Sequence, residues 1–220
     1  MRWSVGVLTA PRPRSRLAET VRSLAQAGWS DLTLRAEPGT PVAQDRRGVR
    51  VVVNDRRLGP HLNFRTTLHG LLTEQPAADA YAVFEDDILV TKNLRSWLES
   101  RGLWPSDRVG VLSLFTAAVN DRPEDGWHPC VGLPGRAYGA QAFVFPPDCA
   151  RAYLAMPQPR STWGQQDYWV GWWCLKSGLE YWMHSPSFVR HIGDASSIID
   201  QPLNEYRQCR RFVEEISVPE

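Results

Sequence analysis

Tyr81-Ala-Val-Phe-Glu-Asp-Asp-Ile-Leu-Val90 is the stretch around which the rest of the chain is organised. An apolar run, Tyr81 to Phe84, leads into three consecutive acids, Glu85, Asp86 and Asp87, and the sequence then returns to apolar residues. Aromatic and branched side chains pair and bury well in a strand, whereas carboxylates cannot be buried without partners. Both demands are met if the acids lie at the carboxyl end of a strand, where open α/β sheets bind their ligands. Carboxylates clustered there would hold a hard divalent cation, which in turn holds phosphate oxygens. The plainer alternative is an acidic turn between a strand and a helix.

Upstream, Val5-Gly-Val-Leu-Thr-Ala10 reads as a short first strand, ended by Pro11 and Pro13. Ser15 then caps a helix in which Leu17, Val21, Leu24 and Ala25 form a buried stripe, and Gly28 ends it. Asp31–Arg35 and Val49–Val53 are two further strands, so strand, helix and strand succeed one another as in a parallel α/β sheet. A polar loop from Asn54 to Asn63 leads into a helix through Thr73, with Leu68, Leu71 and Leu72 inward.

Downstream, Asn93 caps a short helix carrying Leu94, Trp97 and Leu98, and Val109–Leu114 is another strand. Thr116 to Arg136 has no clear period, and so long an irregular stretch in a small domain is usually functional. Tyr138–Phe145 reads as a strand whose Gly139 and Ala140 let a ligand approach the backbone, with Gln141 beside them. Pro147 opens a short helix, and Trp163 to Gly178 reads as another, with Asp167 in its first turn and Val170, Trp173 and Cys174 buried. Tyr181–Met183 is a strand, and the tail with Arg207, Arg210, Arg211, Glu214 and Glu215 either packs as a terminal helix or lies partly loose.

The 220 residues make one domain, ordinary in composition apart from ten tryptophans. No run approaches the roughly 18 apolar residues of a membrane span, and arginines rather than a cleavage site follow the first apolar run. The expectation is therefore a cytoplasmic chain. Four widely spaced cysteines make no C-x-x-C pair, so they read as reduced thiols and not as zinc ligands. Residues 1–70 carry twelve Lys and Arg against five Asp and Glu, and the remainder thirteen against nineteen. That asymmetry fits a phosphorylated ligand on one half and a metal on the other, or a surface that follows nucleic acid, or simply a solvated basic face.

Taken in order, these features resemble a glycosyltransferase of the GT-A type, which uses a nucleotide-sugar donor. Phe84-Glu-Asp-Asp-Ile-Leu-Val90 resembles its metal-binding D-x-D motif. Gly164-Gln-Gln-Asp-Tyr-Trp-Val-Gly171 and Ser187-Phe-Val-Arg-His-Ile-Gly-Asp-Ala-Ser-Ser197 are similar to segments of the inverting group related to N-acetylglucosaminyltransferase IV. The likeness spans residues 3–200 and rests on order and spacing, since each motif alone is weak. It implies a single-domain, Rossmann-like, mostly parallel mixed sheet flanked by helices. Residues 1–115 would form the nucleotide-sugar half, 116–200 the acceptor half and 201–220 a tail.

The resemblance also implies roles. Asp87 would bind Mn2+ or Mg2+ directly, with His191 near the metal or diphosphate, although a histidine after a strand is more often structural. Glu85 or Asp86 would meet the ribose or the metal's waters. Thr9, Ala10, Arg12, Asn63, Gly139 and Gln141 would hold the donor, which the resemblance implies is a UDP-sugar. Asp167 stands where the acceptor-deprotonating acid stands, although Gln165-Gln166-Asp167 departs from the Glu-Asp of relatives, and an acid in a first helical turn is commonly a cap. The acceptor would be a saccharide, a small molecule, or a hydroxymethylated DNA base of the phage type, with Trp127, Trp163 or Trp172 exposed for stacking. Two other classes fit less well. A nucleotidyltransferase would normally open with a glycine-rich loop, which Ala10–Arg14 is not, and a non-catalytic carbohydrate- or nucleic-acid-binding module has no need of a metal cluster and a separate Asp167.

Overall fold

In the computed structural model, which describes residues 1–42, 48–130, 139–157, 166–193 and 208–217, the first strand is Trp3–Thr9 (β1). It is buried along nearly its whole length, as expected of a strand covered on both faces. Helix α1 (Leu17–Ala27) turns Leu17, Val21 and Leu24 inward and stops at Gly28, whose φ of +106° only glycine adopts freely. The Gly28 amide donates to Ala25 and the Trp29 amide to Leu24, closing the helix with paired bonds. Ser15 lies one residue ahead of the cap position, its hydroxyl accepting from the Leu17 amide at 3.3 Å.

Strands β2 (Leu32–Ala36) and β3 (Val49–Val53) follow, then α2 (Pro60–Glu74) and β4 (Ala80–Glu85). Helix α2 starts three residues before Asn63 because Pro60 suits a first helical position. Past the acids, Ile88–Val90 forms a short strand β5, and α3 (Leu94–Ser100) follows. Asn93 precedes α3 in a left-handed conformation, but its side chain caps nothing, because its Nδ2 donates to the Ile216 carbonyl at 3.2 Å.

The second half adds β6 (Val109–Ser113), β7 (Gly126–Pro129), β8 (Ala142–Phe145), α4 (Pro147–Ala155), α5 (Gln166–Lys176), β9 (Glu180–Ser185) and β10 (Val189–His191). Eight strands make one sheet in the order β3-β2-β1-β4-β8-β6-β9-β7. The first four are parallel, β8 is antiparallel to both neighbours, β9 runs parallel to β6, and β7 is an antiparallel edge. The sheet is thus mixed, as the resemblance implied, and not uniformly parallel.

Alternate strand residues feed two cores. On one face Trp3, Val5, Val7, Ala82 and Phe84 pack with Leu24 of α1 and Leu98 of α3. On the other, Val83 and Phe143 pack with Phe64 of α2, Tyr153 of α4 and Trp173 of α5. A separate ribbon pairs β5 with β10, setting His191 opposite Ile88.

Several expectations need correcting. The strand expected from Tyr138 starts at Ala142, and Tyr138 itself lies outside the described residues, as do Trp163, Gly164, Gln165, Arg207 and the Asp194–Ser197 part of the last motif. The irregular stretch holds β7, whose Gly-Trp-His-Pro sequence has no alternation to read. The tail is not helical in residues 208–217; it runs extended, with Phe212 bridging Ser187 and Glu215 bridging Lys92, so its backbone bonds go to neighbouring chain. Trp127 is half-buried, its ring edge-on to His184 at 5.2 Å and to Phe188 at 6.1 Å, and Trp172 is half-buried against Trp169. All four cysteines are unpaired, Cys174 deeply buried. No described helix is long and apolar enough to cross a membrane.

His128 on β7 is buried with Nε2 2.9 Å from the Ser185 hydroxyl, and burial lowers it to about 4. His61 is lowered to about 4 by the same cause. The unfolded chain takes up these protons below about pH 6.5, while the folded chain resists them until about pH 4. Stability is therefore complete above that window and declines as pH falls through it. His128→Gln should lose less stability than the wild type between pH 7 and pH 5, measured as the shift of the urea midpoint. Equal shifts would show that His128 is not held neutral.

Candidate active site

Parallel pairing brings the carboxyl ends of β1 and β4 together, Leu8 standing beside Glu85. Asp86 and Asp87 follow on the turn and are almost fully buried, so each must be paired. The Thr9 hydroxyl and the Ala10 amide donate to Asp86, and Arg12 Nη2 sits 2.8 Å from Asp86 Oδ1. Arg12 Nη1 donates to Asp87 Oδ2, and His191 Nε2 meets the same oxygen at 3.1 Å. The backbone amide of Ile192 donates to the Asp87 carbonyl at 2.8 Å, fixing the end of the ribbon against the acids.

These contacts divide the three acids. Burial would raise Asp87, but His191 and Arg12 outweigh it and hold the carboxyl below its ordinary value. Asp86 is raised, burial prevailing over Arg12 and Thr9. Glu85 is pushed up to about 8, first by burial and then by the Asp87 charge, so it keeps a proton at neutral pH. Burial lowers His191, but its bond to Asp87 more than reverses this and raises it. With Glu85 protonated, Asp86 and Asp87 are balanced by Arg12 and His191, and a bound cation would take the place of protons on Glu85 and His191.

One ligand atom from each of Glu85, Asp87 and His191 lies within 4.8 Å of the other two. Two carboxylate oxygens and one imidazole nitrogen suit Mn2+, and the oxygens suit Mg2+. Asp87 Oδ1 is buried with no hydrogen-bond partner among the described residues, a lone pair set for a cation. Gly193 keeps the space open: a Cβ there would lie 2.5 Å from Asp87 Oδ2 and 3.0 Å from His191 Nε2. The residues present fit a divalent cation.

A second group adjoins the first through β8. The Glu85 amide donates to the Gln141 carbonyl at 2.9 Å, and the Gln141 Oε1 is buried without a partner among the described residues. Gly139 has φ +154° and donates to Asp167 Oδ2 at 3.3 Å; a Cβ on it would meet Ser113 Oγ at 2.8 Å. Asp167 Oδ1 also accepts from the Tyr168 amide at 2.9 Å. Asp167 thus fixes the Gly139 loop and the start of α5 together, and Gln166 beside it has a buried Nε2 with no described partner. Burial raises the Tyr181 hydroxyl, whose oxygen would lie 3.3 Å from a Gly139 Cβ, well above its ordinary value.

The structure therefore brings Thr9, Ala10, Arg12, Glu85, Asp86, Asp87 and His191 to one place, and Gly139, Gln141 and Asp167 to its flank. Asn63 is buried in the first turn of α2 and accepts from Asn54 Nδ2 at 3.0 Å, tying the preceding loop to the helix. Three residues escaped the sequence reading. Glu37, nearly fully buried, accepts from the Leu58 and Gly59 amides and shapes that loop. Gly193 was signalled by its spacing from His191, and Gln166 had no signal beyond its neighbour Asp167.

No family model and no curated protein matches this sequence. Among solved structures, the crystal structure of GalNAc-T7 with UDP, GalNAc and Mn2+ superposes with a TM-score of 0.63 at 13% identity. The match covers 87% of this chain and 43% of that one, so the chain spans less than half the length of its structural neighbour. At that identity the likeness establishes the fold alone: the chain has a GT-A, Rossmann-like architecture.

Proposed function

We propose that the protein is a glycosyltransferase, dependent on a divalent cation, that moves a sugar from a UDP-sugar to an acceptor hydroxyl. The observation that carries this is the convergence of Glu85, Asp87 and His191 at the carboxyl end of β4, in a fold shared with a protein solved with UDP and Mn2+. Helices α1 and α2 follow β1 and β3, and so begin at this edge, where helix amino termini favour an anion.

Glu85, Asp87 and His191 would hold the metal. The cation, when bound, neutralises negative charge on the diphosphate. Thr9 and Ala10 keep Asp86 fixed against the end of β1, and Gly139 with Gln141 offers a close backbone approach for the donor. Asp167 is the base. The acceptor oxygen bonds to the anomeric carbon as the bond from that carbon to the diphosphate oxygen breaks. The hydroxyl proton passes to the Asp167 carboxylate, and the diphosphate leaves with the bonding electrons. A single displacement of this kind inverts the anomeric centre, in keeping with the group related to N-acetylglucosaminyltransferase IV.

On this reading residues 1–115 take the donor and 116–200 the acceptor, a saccharide, in the cytoplasm. A hydroxymethylated DNA base has less support, because Trp127 is committed to His184 and Phe188 instead of being free to stack.

Incubation with a panel of UDP-sugars, saccharide acceptors and Mn2+ should release UDP. Pyrophosphate would point to nucleotidyl transfer instead, and release of neither would refute the proposal. Asp87→Ala or EDTA treatment should abolish release while circular dichroism stays native. Gly193→Ala should weaken Mn2+ binding at least about 10-fold, the added methyl standing on the ligand atoms; unchanged affinity would move the metal elsewhere. Asp167→Asn should lower kcat about 10²–10⁴-fold with little effect on UDP affinity, since an amide keeps the shape but takes no proton. A near-normal kcat would leave Asp167 as a helix cap only.

A further inference from the structure

Arg12 is engaged by the acids themselves. Its guanidinium bridges both buried aspartates, Nη2 lying 2.8 Å from Asp86 Oδ1 and Nη1 bonded to Asp87 Oδ2. The side chain is 16% exposed, and its Nε is buried with no described hydrogen-bond partner. Asp87 Oδ2 is also the oxygen that faces His191 Nε2 and that a Cβ on Gly193 would meet. The guanidinium therefore holds a carboxylate that belongs to the candidate metal-ligand group, leaving Asp87 Oδ1 as the oxygen without a described partner.

A guanidinium carries its charge at every working pH and presents a planar fork that fits two oxygens at once. A divalent cation among Glu85, Asp87 and His191 would be a like charge within a few ångströms of that fork. Even at an effective dielectric of about 20, like charges this close repel by several kcal/mol. Both cannot keep Asp87 at full strength. Arg12 stands between Pro11 and Pro13, on the loop from β1 to α1 at the anion-favouring edge of the sheet. Prolines fix the backbone there, so the side chain is what moves. The oxygen-rich partner nearest to hand would be the diphosphate, whose geometry the fork also matches.

Resting on the glycosyltransferase reading, we infer that Arg12 is an exchangeable counter-ion: it holds Asp86 and Asp87 when no metal is bound, yields Asp87 to the incoming cation, and then pairs with the donor's diphosphate. Metal alone must therefore compete with Arg12, whereas metal together with nucleotide gives Arg12 a new partner. Arg12 acts oppositely on the two ligands, which a simple binding residue does not.

The test is Mn2+ binding to the full chain by electron paramagnetic resonance, and UDP binding at saturating Mn2+ by calorimetry, in wild type and Arg12→Met. Arg12→Met should bind Mn2+ alone at least about 10-fold more tightly and UDP at least about 10-fold more weakly. If Arg12→Met fails to fold, Arg12→Lys serves, since it keeps the charge but cannot bridge two carboxylates; it should shift both affinities in the same directions by at least about 3-fold. Equal or weaker Mn2+ binding in the variant that folds, with wild-type binding measurable, overturns the exchange while leaving the glycosyltransferase reading intact. Absence of Mn2+ binding in every variant overturns both.

Discussion

Burying Asp86 and Asp87 side by side sets the terms for everything built around them. Two adjacent carboxylates removed from water repel each other and each loses its hydration, so neither is tolerable without a cation and donors. The chain supplies these from two places: Thr9, Ala10 and Arg12 from the end of β1, and His191 from the ribbon. The acids are therefore what fix the distance between the first strand and the last motif, more than 100 residues apart in sequence. The parallel pairing of β1 with β4 is equally necessary, because it puts both carboxyl ends at one edge.

The ribbon shows how local chemistry becomes geometry. Ile88–Val90 leaves the acidic turn and is gripped by α1, whose Thr20 hydroxyl donates to the Ile88 carbonyl at 2.9 Å and accepts from the Ile88 amide at 3.0 Å. Pairing of Val189–His191 on this strand then leaves His191 no choice of position. Gly193 completes the turn because any side chain would displace the ligand atoms. Backbone bonds place the histidine, and the absence of a Cβ keeps its nitrogen available.

The apolar strands and the helices were legible in the sequence because each answers to a local pattern. Leu17, Val21 and Leu24 recur at helical spacing, and Gly28 and Gly178 supply the left-handed closures at helix ends. The acidic turn was legible because buried acids are rare. What could not be read depends on partners distant in sequence. The β7 edge is held by β9, and its Gly126, Trp127, His128 and Pro129 show no periodicity of their own. The tail is extended because Ser187 and Lys92 offer it backbone bonds, not because of any preference in Phe212 or Glu215. Likewise Asn93 reads as a cap by type, yet the Ile216 carbonyl takes its amide. The site divided in the same way: the acids and His191 stood out, while the pairing of Arg12 with two of them depended on where β1 ends.

The reversed strand β8 explains why one site has two parts. Had β8 run parallel to β4, its amino-terminal end would lie at the far edge of the sheet, with Gly139 and Gln141 distant from the acids. Running antiparallel, it enters at the edge where β4 leaves, so Gln141 accepts the Glu85 amide directly. Gly139 then reaches Asp167 at the start of α5, and Asp167 is tied to the acidic turn through only a few residues of backbone. That tie also limits the freedom of Asp167, since its two oxygens are already engaged by the Gly139 and Tyr168 amides. A carboxylate held by two backbone amides keeps a fixed orientation and still has lone pairs to accept a proton. The strand that departs from the parallel pattern is thus the one that couples the two carboxylate groups of the site.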